Sequence, residues 1–95
     1  MTIRLTELAV GDLTETRDHY RAIDEELERR FLGQLDRAME RLAMFPHGAP
    51  PVDGVPGVRR ARIRDFPYGL FYRVDERGIL VIRVLHTRRD THDVG

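Results

Sequence analysis

Val58 to Thr87 reads VRRARIRDFPYGLFYRVDERGILVIRVLHT, and the period of its side chains decides the fold. From Val58 to Asp65, Arg60, Arg62 and Arg64 alternate with Ala61 and Ile63, the period of two that marks a strand. From Phe66 to Val74, Phe66, Tyr68, Leu70, Tyr72 and Val74 fall on one face, with Gly69, Phe71 and Arg73 on the other. Asp75-Glu76-Arg77-Gly78 is a four-residue hairpin turn in which Gly78 can take positive φ. Ile79 to Thr87 is nearly all apolar, as a central strand covered on both sides should be. Three consecutive strands are therefore expected, the last of them buried.

Upstream the signals change. His47 to Gly57 is punctuated by Gly48, Pro50, Pro51, Gly54, Pro56 and Gly57, carries no phosphate-binding pattern, and reads as a plain connection. Before it, Leu27, Phe31, Leu35, Ala38, Leu42 and Phe45 recur at steps of three and four, an apolar stripe of about five helical turns that should be core. Gly33 costs that helix about 1 kcal/mol against Ala, and Pro46 stops it. Asp24 suits an N-cap, with Glu25 and Glu26 in the first turn behind it. Ala9, Leu13, Tyr20 and Ile23 approximate one face of an earlier helix, and the short break at Asp24 folds the two helices into a hairpin. Ile3 to Leu8 alternates at period two as a first strand. The order strand, helix, helix, strand, strand, strand gives an α+β fold, a helical hairpin packed on one face of a small, mostly antiparallel sheet.

The 95 residues form one domain, 1–95, with an apolar share of 41% and a charged share of 34% that suit a globular chain. There is no cysteine, which excludes disulfides and thiolate zinc sites. His19, His47 and His92 lack metal-ligand spacing and no carboxylate cluster completes a site, so neither a metal nor another cofactor is expected. Without a signal-like apolar run near Met1 or a membrane-spanning stretch, the expected location is the cytoplasm. Net charge is zero but unevenly placed: residues 1–54 carry seven Arg against eleven acids, and residues 55–95 nine Arg against five. Every basic side chain is Arg. Codon usage accounts for most of that bias, whereas its concentration in the strands points to a face that meets anions or an acidic partner.

Several motifs, in this order and spacing, resemble the RelE/ParE toxin superfamily, and its ParE-like branch most. Ala9 with Asp12-Leu13 is similar to that superfamily's first-helix signature. Phe66-Pro67-Tyr68 with Tyr72 is similar to its aromatic strand, and Val84-Leu85-His86-Thr87-Arg88-Arg89-Asp90 to its final one. The resemblance covers essentially the whole chain. It implies a β-α-α-β-β-β fold and the toxin of a bacterial type II toxin–antitoxin module of the plasmid-stabilisation type, silenced by a cognate antitoxin. It also implies one of two targets, DNA gyrase for ParE-like members or messenger RNA in the ribosome for RelE-like ones.

The residues weigh those targets. Cleaving RNA requires a base for the 2′-hydroxyl, cations for the phosphorane and an acid for the leaving oxygen. By resemblance the candidates are Arg60, Arg62 and Arg89, with His86 as the one group able to exchange protons near neutrality. The RelE-like arginine after the position of Tyr68 is here Gly69, and no tyrosine follows Tyr72, so two expected catalytic groups lack counterparts. Arginine itself does not give up its proton. A histidine ending a buried strand is more often structural, and Tyr68 and Tyr72 read as packed residues. Arg60, Arg62 and Arg64, about 7 Å apart along one strand face, together with Arg88 and Arg89, are expected to bind a partner. The reading is a ParE-like gyrase inhibitor. The alternatives are a ribosome-dependent endoribonuclease, and an inactive relative that only binds its antitoxin.

Overall fold

The computed structural model describes residues 2–88. The chain begins with strand β1 (Ile3–Leu5), then helices α1 (Glu7–Ile23) and α2 (Glu25–Met44), then strands β2 (Arg59–Arg62), β3 (Tyr68–Asp75) and β4 (Gly78–His86). The sheet order is β1-β4-β3-β2, with β1 parallel to β4 and the other pairs antiparallel. This is the expected α+β arrangement. No helix among the described residues is long and apolar enough to cross a membrane.

The first strand is shorter than its alternation implies. Thr6 is the N-cap of α1, its hydroxyl accepting from Ala9 N–H at 3.1 Å, so Glu7 and Leu8 are helical rather than extended. Asp24 serves both helices. Its N–H donates to Tyr20 O at the end of α1, and its carboxylate accepts from Glu26 N–H at the start of α2. One extended residue therefore closes the hairpin, and Arg21 donates to Glu28 across it at 2.9 Å. Ile23 lies at that turn and is 60% exposed, so the apolar face of α1 ends at Tyr20.

Both helices lie on one face of the sheet. Phe31, Leu35, Ala38 and Leu42 of α2 meet Ile63, Phe66, Leu70, Tyr72, Ile79, Val81 and Val84, with Ala9 of α1 in the same core. Tyr20, Phe31, Phe66 and Tyr68 form an aromatic cluster with ring centroids 5.0–6.3 Å apart. Burial raises the pKa of the Tyr20 hydroxyl, and the neighbouring Tyr68 adds to the effect. Tyr72 is fully buried and its hydroxyl donates to Pro46 O at 2.8 Å, fixing the end of α2 on the sheet. Burial also raises its pKa, and the proton remains available for that bond.

The register of β3 on β4 slips between Phe71 and Tyr72, which face Arg83 and Val81, leaving Ile82 as the extra residue. This bulge lets both Val81 and Val84 enter the helix-side core while Ile82 and Leu85 pack on the opposite face. There Val52, Val55 and Val58 cover Phe71 and Leu85. The segment after α2 is thus more than a connection, because it shields the second face of the sheet and completes the two-sided burial of β4. The β3–β4 hairpin closes through Glu76-Arg77, with Asp75 accepting from Arg77 N–H and Gly78 at φ +121°.

Candidate partner-binding groove

β2 is the outer strand, and only half of its outer edge is covered. Val52 N–H donates to Val58 O at 2.9 Å and Arg60 N–H to Pro50 O at 3.1 Å. Arg59 reaches back from the helix-side face to His47 O and Ala49 O, at 3.2 and 2.7 Å, holding this covering segment in place. The cover ends at Pro50. Strand alternation then directs Arg60 C=O, Arg62 N–H and Arg62 C=O outward, and none has a backbone partner among the described residues.

A groove of about 890 Å³ runs along this open half. Its helix-side wall is apolar, from Ala38, Leu42, Phe45 and Ala61, and its cationic rim is Arg41, Arg60, Arg62 and Arg64. None of these four arginines forms an ion pair among the described residues. Gly69 and Thr87 line the far side. A Cβ on Gly69 would lie 3.0 Å from Arg60 Cγ and 3.2 Å from its Cδ, so the missing side chain leaves room for the Arg60 stem across the sheet.

Two expectations are corrected here. Arg64 does not share the strand face of Arg60 and Arg62, because β2 ends at Arg62 and the chain turns through Arg64 and Asp65, the latter at φ +68°. It joins the rim from the turn. Phe45 is not core but 64% exposed, since α2 stops at Met44 and Phe45 leaves helical geometry as its C-cap. Pro46 immediately after it was the available signal. Arg41 was not singled out in the sequence; its place one helical turn before Phe45 puts it on the same groove.

The other named residues lie elsewhere. His86 ends β4 on the helix side of the sheet, its ring edge-on to Tyr68 at 5.4 Å and its Nδ1 accepting from Arg88 N–H at 3.1 Å. It lines a smaller cleft, of about 270 Å³, with His19 and Glu15. Arg60 and Arg62 occupy the opposite face, paired with Phe71 and Gly69, so the sheet separates them from the imidazole. Arg88 is exposed just beyond β4. Arg89 and His92 lie outside the described residues. Among the described residues no three His, Asp or Glu side chains gather as metal ligands. Among the described residues the groove lining contains no His, Asp or Glu, and its side chains are equipped to hold anionic and apolar groups.

A family described as "ParE toxin of type II toxin-antitoxin system, parDE" matches residues 3–91. Among solved structures, a chain of the "Chromosomal ParDE TA system from P. aeruginosa" is similar, with a TM-score of 0.68 and 25% sequence identity over 90% of this chain and 95% of that one. No curated protein matches the sequence significantly.

Proposed function

Because the chain belongs to the ParE toxin family of type II toxin–antitoxin systems, we propose that it inhibits DNA gyrase by binding it and is held silent by a cognate antitoxin. The observation carrying this reading is the groove at β2. Among the described residues it offers four guanidinium forks and an apolar wall but no general base or acid. Such a surface recognises carboxylates and side chains on a protein partner rather than breaking a phosphodiester. The position after Tyr68, where the RelE-like resemblance calls for an arginine, holds Gly69 beneath the Arg60 stem. Arg60, Arg62, Arg64, Arg88 and Arg89 are the proposed cationic contacts to partners, and both partners imply a cytoplasmic location.

The test is expression of the chain with and without the protein encoded beside it. Growth arrest with DNA breaks, suppressed by a gyrase mutation and relieved by the neighbour, is the expected result. Arrest with translated message cut at codons and DNA intact would overturn it.

A further inference from the structure

We propose that the uncovered half of the β2 edge accepts an added strand, and that its occupant is an antitoxin segment alternating acidic with apolar residues. This rests on the antitoxin reading above and specifies how that partner is held.

The edge is already used once. Pro50 and Val52 pair with its first half, and Pro51, which has no N–H to give, sits opposite Arg59 in a bridge that needs none. The same line then runs on, unpaired among the described residues, past Arg60 C=O and both backbone groups of Arg62. Natural sheets seldom leave a paired edge half finished without charge or cover to protect it. Here the charge is arginine, which repels another basic edge and attracts an acidic one. A strand laid along this line gains backbone hydrogen bonds whatever its sequence.

The surroundings specify that sequence. Side chains of an added strand alternate between the two faces of the sheet. On the helix side they meet Ala38, Leu42, Phe45 and Ala61, where Phe45 is exposed and would be covered. On the other side they meet Arg60 and Arg62 above the open floor of Gly69, with Thr87 nearby. Apolar residues at every second position and Asp or Glu between them satisfy both faces. Nucleic acid would use the guanidinium groups but leave the three ladder groups and the apolar wall unused, which favours a peptide.

Amide hydrogen exchange on the labelled chain in complex with its full-length antitoxin reads the prediction directly. The Arg62 N–H should exchange freely in the isolated chain and at least about 100-fold more slowly in the complex, like other internal ladder amides. Arg62→Pro removes the donor at an edge position where proline is tolerated, so it should weaken antitoxin binding at least tenfold more than Arg62→Ala does. A complex that forms with the Arg62 amide still unprotected overturns strand addition while leaving the antitoxin reading intact. Failure of any complex to form overturns both. Protection conferred by a single-stranded RNA probe, and not by the antitoxin, overturns the choice of a peptide occupant. The exchange measurement uses the unaltered chain, so a misfolded Arg62→Pro variant would not spare the proposal.

Discussion

Arg83 grips Asp12 with two parallel hydrogen bonds, Nε to Oδ2 at 2.8 Å and Nη2 to Oδ1 at 3.0 Å. The same Oδ2 accepts the Val84 N–H at 2.9 Å. β1 stops at Leu5, so among the described residues the outer edge of β4 beyond Val81 has no strand beside it. Helix α1 takes over that role, with the Thr6 hydroxyl donating to Ile82 O at 2.6 Å and Asp12 accepting from Val84. A helix carboxylate thus replaces a missing strand. Both partners are mostly buried, at 17% and 12% side-chain exposure.

Removing Asp12 takes a bidentate carboxylate from Arg83 in a shielded site and leaves the Val84 N–H without that acceptor. Asp12→Ala should therefore lower unfolding stability by about 2–4 kcal/mol. Urea denaturation followed by far-UV circular dichroism measures this. A loss below about 0.5 kcal/mol, the range of an ordinary surface substitution, would contradict the anchoring role.

Arg4 of β1 holds Asp75 at the β3–β4 turn with both carboxylate contacts at 2.7 Å. The Arg4 hydrogen bonds lower the Asp75 pKa from its ordinary 3.8. A lowered folded value means the contribution is complete above the unfolded pKa and is lost as pH falls through the folded one. The wild type should be more stable than Asp75→Asn at pH 7, and the difference should shrink as pH falls below about 4. Paired unfolding curves across that range test it; a gap that widens on acidification would refute the assignment.

Tyr72→Phe deletes only the hydroxyl that donates to Pro46 O. The expected cost is about 1 kcal/mol, with the secondary structure retained. Thermal melting of the two proteins measures it, and an unchanged midpoint would show that the bond does not secure the end of α2.

Gly33 is exposed in the middle of α2, and a Cβ there meets no atom within 4 Å. Gly33→Ala should raise stability by about 0.5–1 kcal/mol through helix propensity alone. Antitoxin affinity should not change, because Gly33 does not line the β2 groove. A fall in stability would mean that the helix requires flexibility at that position.

The element order was legible in the sequence because each element has a clean period. Tyr68, Leu70, Tyr72 and Val74 do share the helix-side face, and Phe31 to Leu42 is the buried stripe. What escaped was decided by single residues acting over long range. Thr6 cut β1 short through a cap. Asp12 stood out through the first-helix resemblance and not through its contacts, because its partners, Arg83 and Val84, lie some seventy residues away. Phe45 kept the helical spacing but lost the helical geometry. For the groove, three of the four rim arginines were visible from charge placement. The open edge was not, because backbone pairing leaves no mark on alternation, and Arg41 carried no pattern of its own.

In the function we propose, this toxin acts by binding gyrase and not by cutting RNA. The most direct measurement adds the purified chain to gyrase in a supercoiling assay and, in parallel, to a translating ribosome system with labelled message. Inhibited supercoiling, relieved by the antitoxin, with the message intact, is the expected result. Supercoiling at its normal rate with the message cut at codons would contradict it.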